Sequence, residues 1–165
     1  MRNIPRSHAF QLVDSKNSKK LEVRNPKDDT VLASDVSLAG EADVDAAVDA
    51  AAAAFKTWRK THPNTRRDCM LKLADLIEVN SDALAELTRI SLGAPFGTFG
   101  SFEIGLCAEA LRYYAGWTDK FVGESYPQED GFMKIVRNEP LGVTCGVIPW
   151  NGPLANSSKS TSTHS

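Results

Sequence analysis

Apolar residues recur at every third or fourth position through the middle of the chain, which is the spacing of one face of an α-helix. The longest such run follows Gly40, and Glu41 and Asp43 would lie in its first turn, where negative charge favours the helix dipole. The spacing predicts a core-facing helix that extends to Trp58 and contains an alanine-rich segment at residues 50–54.

Three more helices are predicted after this one. The second extends from about residue 64 to 80, the third from 81 to 92 and the fourth from about 102 to 122. Gly93 and Pro95 end the third helix, because glycine adopts the left-handed cap and proline cannot continue the helical hydrogen bonds. Each helix carries one apolar face, which predicts a helical layer.

Shorter apolar runs on both sides of this helical region predict strands. Residues 9–13, 21–24 and 30–37 are separated by polar turns and predict edge strands or an arm. Residues 124–127 and 132–138 predict a hairpin. The edge of that hairpin would be exposed, and such edges commonly pair with another chain.

Residues 141–154 differ from the rest because a continuous apolar run leads into a polar corner. Residues 143–148 are apolar toward both faces, which predicts a strand covered on both sides, as in a parallel sheet. Pro149 ends this strand. Trp150 and Asn151 would therefore emerge at its carboxyl end, where open α/β sheets bind their ligands.

The fold class predicted from these elements is α/β, in five consecutive segments. The segments are an N-terminal arm of strands at 1–40, a helical part at 41–122, a hairpin of the oligomerisation type at 123–140, a buried strand with its loop at 141–154 and a tail at 155–165. The tail is rich in Ser and Thr and poor in apolar residues. It cannot offset the entropy that is lost on ordering, so it is predicted to be disordered.

Composition and charge are those of an ordinary globular protein. The 165 residues are 42% hydrophobic and 24% charged, and a net charge of -2 gives no reason to expect nucleic acid or an anionic membrane as a partner. No apolar run approaches the roughly 18 residues of a membrane span, and the N-terminus lacks the apolar segment of a secretory signal. The three cysteines lie far apart in the sequence, which is typical of reduced thiols in the cytoplasm.

Six short motifs follow one another between about residues 20 and 154. They are Asp43-Val44-Asp45 with the alanine-rich helix, Leu73-Ala74-Asp75-Leu76-Ile77, Leu92-Gly93-Ala94-Pro95, Leu111-Arg112-Tyr113-Tyr114-Ala115-Gly116-Trp117, Asn138-Glu139-Pro140-Leu141-Gly142-Val143 and Ile148-Pro149-Trp150-Asn151-Gly152-Pro153-Leu154. In this order they resemble the N-terminal part of the aldehyde dehydrogenase superfamily.

The resemblance implies part of the aldehyde dehydrogenase fold: a helical layer, a β-hairpin and the first strand of a Rossmann-like parallel sheet. It also implies a parent activity in which an aldehyde is oxidised to a carboxylic acid through a cysteine thiohemiacetal, with NAD or NADP as the acceptor.

The resemblance further implies roles for four residues. Ile148, Pro149 and Trp150 would run along the nicotinamide ribose, and Asn151 would direct its amide at the substrate oxygen. An amide donates a hydrogen bond without a charge of its own, which suits an oxyanion hole. Without the resemblance, the pattern around Asn151 indicates only a loop asparagine that satisfies a turn.

The chain also departs from the family pattern. Gly152 stands where relatives often carry a bulky aromatic residue, which would widen the substrate tunnel, and Leu92-Gly93-Ala94-Pro95 stands where many carry Asn-Gly-Lys-Pro. The family's nucleophilic cysteine, its general-base Glu and the Lys and Glu that hold the adenosine ribose all lie beyond the matched region. No Gly-rich phosphate turn follows the predicted strand, and in the family no nucleophile stands at the positions of Cys69, Cys107 and Cys145.

Two hypotheses follow from this pattern. In the first, the chain is a truncated polypeptide of the aldehyde dehydrogenase family that is inactive alone. In the second, it is a non-catalytic interaction module, whose hairpin at 123–140 forms a homo- or hetero-oligomer by pairing with a full-length relative.

Overall fold

The computed structural model describes residues 14–95, 100–128 and 130–162. The chain divides into two compact units, Met1–Lys60 and Thr61–Ser165. The strand predicted at 9–13 lies outside the described residues.

The first unit opens with a two-stranded antiparallel sheet. Strands β1 (Lys20–Arg24) and β2 (Val31–Ser37) pair with Lys20 opposite Ser37 and Arg24 opposite Val31. The connecting turn is closed by a hydrogen bond from the Asn25 N–H to the Thr30 carbonyl, 2.9 Å long. Most residues of both strands are exposed, which agrees with the predicted arm.

Helix α1 (Glu41–Trp58) begins after Gly40, as the acidic first turn predicted. The carboxylate of Asp43 accepts hydrogen bonds from the backbone N–H of Gly40 at 2.9 Å, the backbone N–H of Lys16 at 2.8 Å and the hydroxyl of Ser15 at 2.7 Å. These hydrogen bonds lower the pKa of Asp43 to about 2, because they favour the ionised form. One carboxylate therefore joins the chain before β1 to the start of α1.

The apolar stripe of α1 is not buried, so the prediction of a core-facing helix is wrong for the described chain. No residue of α1 is buried, and Val44, Val48 and Trp58 are exposed along the stripe. The helix is present, as its apolar period predicts, but no described element covers this face. Periodicity indicates which face of a helix can be buried and does not supply the surface that buries it.

The second unit contains three consecutive helices. They are α2 (Pro63–Val79), α3 (Ser81–Leu92) and α4 (Ser101–Ala115). The buried cluster of α2 and α4 consists of Met70, Ala74, Cys107, Ala108, Leu111 and Ala115, and Ile104 is buried on the same face of α4. The predicted apolar face of α4 is therefore confirmed for these residues, whereas the helix ends at Ala115 and not near residue 122.

An ion-pair network joins α2 to α4 at the surface. The guanidinium of Arg112 donates to Asp75 Oδ1 at 2.9 Å and to both carboxylate oxygens of Glu78. Helix α3 buries Ala85 and Thr88, whereas Leu87 is exposed. Gly93 follows α3 with φ of 69°, the left-handed conformation that lets the chain turn sharply.

The predicted hairpin follows α4. Strands β3 (Glu124–Tyr126) and β4 (Lys134–Val136) are antiparallel, with Ser125 opposite Ile135. Every described residue of the two strands is exposed, as predicted for an open edge. None of the helices in the described ranges is long and apolar enough to cross a membrane.

The predicted strand at residues 143–148 is absent. These residues have no regular secondary structure, and Leu141 and Val147 are almost fully exposed. The physical reason is that a strand exists only in a ladder with a neighbour, and no other described strand pairs with this segment. The partial α/β fold is present, but its first parallel strand is only an extended segment.

The predicted disordered tail is also wrong, because residues 153–162 form helix α5 (Pro153–Ser162). Pro153 occupies the first helical position, where its missing N–H costs nothing. Ala155 and Ser158 are buried, and Leu154 packs against the cluster of α2 and α4. Small side chains allow α5 to approach α4 closely, so tertiary packing outweighs a composition that is poor in apolar residues.

Asp43→Ala tests the capping contact of α1. The folded pKa lies below the ordinary value of 3.8, so the stabilisation is present above that value and is lost as the pH falls toward about 2. Near neutral pH, we expect the substitution to lower the urea concentration at which α1 is half unfolded. The amide NMR signals of α1 measure this midpoint. The difference from the wild type should shrink as the pH falls from about 4 to about 2.

Asp49→Ala is the matched control, because it removes a carboxylate from the middle of the same helix. The difference in urea midpoint between Asp49→Ala and the wild type should not shrink as the pH falls from about 4 to about 2. A deficit of Asp43→Ala that is constant across the pH range would contradict the capping role.

Candidate functional site

The predicted site residues lie in the turn that leads into α5. The Gly152 N–H donates to the Pro149 carbonyl at 3.5 Å, and the Asn156 N–H donates to the Gly152 carbonyl at 3.2 Å. The extended segment at 143–148 thus passes through a tight turn into a helix. Asn151 lies within this turn, two residues before Pro153.

A small cavity joins this turn to the end of α3. It has a volume of about 200 Å³ and is lined by Leu92, Ala94, Trp150 and Asn151. Two of the sequence motifs, one around residues 92–95 and one around 148–154, therefore meet at a single surface. The turn at Gly93 makes this possible, because it directs Ala94 out of the helical path.

The structure brings only two of the four predicted site residues to this cavity. Trp150 and Asn151 line it, whereas Ile148 and Pro149 do not. Trp150 is 80% exposed. Within the described chain the side-chain amide of Asn151 has no hydrogen-bond partner, so it is available to donate to a bound oxygen.

Gly152 was expected to widen the site, but a neighbouring side chain occupies the space beside it. The Asn156 Nδ2 donates to the Gly152 carbonyl at 2.7 Å. A Cβ at position 152 would lie 2.9 Å from that nitrogen and 3.6 Å from Glu103 Oε1. A residue with a Cβ would therefore have to displace the Asn156 amide, and the expected opening is partly filled by Asn156.

Glu103 was missed by the sequence interpretation. Its side chain lies on the buried face of α4, only 3% exposed, and its Oε1 accepts the backbone N–H of Leu154 at 2.9 Å and of Ala155 at 3.3 Å. The available signal was a carboxylate four residues before Cys107, on the apolar side of an amphipathic helix. Such a residue is seldom buried without a specific partner.

The three cysteines do not form a nucleophilic site. Cys107 is buried, and burial raises the pKa of its thiol, which disfavours the reactive thiolate. Cys69 is exposed on α2, and Cys145 is exposed in the extended segment, where a buried strand had been predicted. In the described ranges no group of His, Cys, Asp or Glu could hold a metal ion.

Comparisons with known proteins identify the family. The family model described as the aldehyde dehydrogenase family matches residues 12–163. The chain belongs to the aldehyde dehydrogenase family. A mitochondrial aldehyde dehydrogenase of Leishmania tarentolae is 41% identical over 144 residues, which are 87% of this chain and 29% of that protein.

Solved structures superimpose closely on the same part of the chain. A variant of the Bacillus cereus enzyme has 38% identity and a TM-score of 0.88, covering 93% of this chain and 32% of its own. PnpE, solved in complex with nicotinamide adenine dinucleotide, has 33% identity and a TM-score of 0.86, covering 92% and 31%. The chain thus spans about a third of the length of the aldehyde dehydrogenases that it matches, and the partial fold predicted from the motifs is confirmed.

A double-mutant cycle tests the packing of Asn156 over Gly152. Gly152→Ala must displace the Asn156 amide and break its hydrogen bond. In an Asn156→Ala background the same substitution meets only Glu103 Oε1 at an ordinary contact distance. We expect Gly152→Ala to cost about 1 kcal/mol less in that background, measured by urea unfolding.

Gly105→Ala is the control glycine. A Cβ at position 105 on α4 would meet nothing within 4 Å. Its effect should therefore be the same with and without Asn156. A Gly152→Ala cost that is also independent of Asn156 would contradict the packing described above.

Proposed function

We propose that this chain supplies one wall of an aldehyde-oxidising site. Asn151 donates its amide N–H to the aldehyde oxygen and stabilises the negative charge that develops there when a nucleophile adds to the carbonyl carbon. The observation that carries this proposal is the unpartnered Asn151 amide beside a cavity of about 200 Å³, in a chain of the aldehyde dehydrogenase family. The substrate class is a small aldehyde, and the product is the carboxylic acid.

NAD or NADP is the proposed electron acceptor. The segment that ends at Ile148 makes no regular ladder, so its backbone N–H and C=O groups are available to a ribose, whereas Pro149 has no N–H and its carbonyl accepts the Gly152 N–H. Exposed Trp150 offers an aromatic face beside the same cavity. These residues fit the nicotinamide end of such a cofactor, which would accept the hydride. Within the described ranges no Gly-rich turn leads into α5 to hold the phosphates.

The chain alone is proposed to be inactive. Oxidation of an aldehyde through a covalent thiohemiacetal needs a thiolate next to the oxyanion donor and a general base. Neither the buried Cys107 nor the exposed Cys69 and Cys145 lines the Asn151 cavity. The groups that complete the chemistry must therefore be contributed by polypeptide other than residues 1–165. We propose the cytoplasm as the compartment, where the three thiols would stay reduced.

Turnover measurements test this proposal. The purified chain, mixed with NAD or NADP and a panel of aldehydes, should produce no absorbance of the reduced cofactor. Addition of a polypeptide that carries the remaining two-thirds of the Leishmania tarentolae relative should restore turnover. Asn151→Ala in the present chain should then reduce the restored rate by roughly 10²- to 10³-fold, because one oxyanion donor is lost.

Asn64→Ala, in the first turn of α2 and away from the cavity, is the matched control and should leave the restored rate unchanged. The proposal fails if the chain alone turns over aldehyde through repeated purification. It also fails if Asn151→Ala leaves the rate of the reconstituted enzyme unchanged.

The hairpin supports a second proposed role, in assembly. Among the described strands, β4 pairs only with β3, and Phe132, Met133 and Ile135 are all exposed. An open apolar edge of this kind favours strand pairing with a second chain, either another copy or a full-length relative. We propose that residues 123–140 form such an oligomer contact.

Ile135→Lys tests the assembly role, because a charge on an edge strand opposes pairing with another strand. We expect the wild type to associate in light-scattering measurements and the variant to shift to the monomer mass. Leu87→Lys is the matched control, since Leu87 is 62% exposed on α3 and Ile135 is 61% exposed on β4. A wild type that stays monomeric at all concentrations would refute the contact.

A further inference from the structure

Glu103 is a buried carboxylate that the reaction scheme above does not use. Burial of an ionised carboxyl group is costly unless hydrogen bonds or opposite charges compensate it. In the described chain Glu103 has no cationic partner, and its Oε2 is buried without any hydrogen bond. The compensation comes instead from the backbone of another helix.

That backbone is the first turn of α5. The N–H groups of Leu154 and Ala155 have no acceptor within their own helix, because the first N–H groups of any helix lack one. Both donate to Glu103 Oε1, at 2.9 Å and 3.3 Å. The carboxylate also lies at the end of the helix where negative charge is favoured by the dipole. One oxygen of one side chain thus determines where on α4 the helix α5 begins.

The position of α5 in turn determines the position of Asn151. Only Gly152 and Pro153 separate Asn151 from Leu154, so the chain between them spans at most about 10 Å. This short link is tightened by the hydrogen bonds from the Gly152 N–H to the Pro149 carbonyl and from the Asn156 Nδ2 to the Gly152 carbonyl. A shift of the first turn of α5 would therefore move Asn151 relative to the opposite cavity wall.

We infer that Glu103 is a positioning residue for Asn151, acting through the first turn of α5. Glu103 is not among the residues that line the cavity, and it holds the backbone next to Asn151, which lines the cavity together with Ala94. Any effect of Glu103 on catalysis rests on the proposed role of Asn151 in the reaction. The placement itself is a property of this chain and is measurable without turnover.

Heteronuclear NMR of the full chain tests the inference with Glu103→Ala and Glu103→Gln. In Glu103→Ala, amide hydrogen exchange at Leu154 and Ala155 should be at least about tenfold faster, since hydrogen bonds to a charged acceptor are lost. The nuclear Overhauser contacts between Asn151 and the Ala94 methyl group should disappear. Glu103→Gln keeps an oxygen acceptor without the charge, so exchange should rise by a smaller factor and the contacts should weaken.

Glu109→Gln is the matched control, because Glu109 is exposed on the same helix and lies away from the start of α5. It should leave both readouts at wild-type values. Wild-type exchange and contacts in Glu103→Ala would overturn the inference. Faster exchange with unchanged contacts between Asn151 and Ala94 would also overturn it, because Glu103 would then only cap α5.

If Glu103→Ala unfolds the chain, Glu103→Gln decides the question, and wild-type values in that variant would overturn the inference. Failure here is distinct from failure of the proposed function. The NMR readouts report the placement of Asn151, whereas the role of Asn151 is read only in the rate of the reconstituted enzyme.

Discussion

Close approach to helix α4 is the constraint on which the second unit depends. The buried face of α4 consists of Ile104, Cys107, Ala108, Leu111 and Ala115, and it packs against α2 on one side and α5 on the other. Ala74 on α2 and Ala155 on α5 are small at these contacts, so the helices lie close enough for many weak dispersion contacts to add up. Residues 155–162 were predicted to be disordered, but they belong to helix α5, which is ordered because it packs against this face of α4.

A buried carboxylate on the same face joins packing to the site. Glu103 accepts hydrogen bonds from N–H groups that have no acceptor within α5. The turn that contains Asn151 lies directly before α5 in the chain. The cavity beside Asn151 therefore depends on two separate features of the helical layer: the left-handed turn at Gly93, which places Ala94, and the anchored start of α5.

Several apolar surfaces of the chain remain uncovered. The stripe of α1, the hairpin edge and the extended segment around Val147 are all exposed, and the chain corresponds to about a third of the aldehyde dehydrogenases that it matches. A helix forms its hydrogen bonds within itself, whereas a strand depends on a neighbour. This difference explains why α1 is present without a covering layer while residues 143–148 form no strand.

The sequence by itself determined the helices α1 to α4, the strands of the N-terminal arm, the hairpin of β3 and β4 and the family, because helical periodicity, turn residues and ordered motifs are local properties of a chain. It also predicted a role for Asn151, although only through the motif that surrounds it. Tertiary structure alone decided that residues 153–162 are helical, that Glu103 is buried and that Leu92 and Ala94 share a cavity with Trp150. Each of these depends on a contact between residues far apart in the chain, and neither composition nor spacing records the distance at which two helices pack.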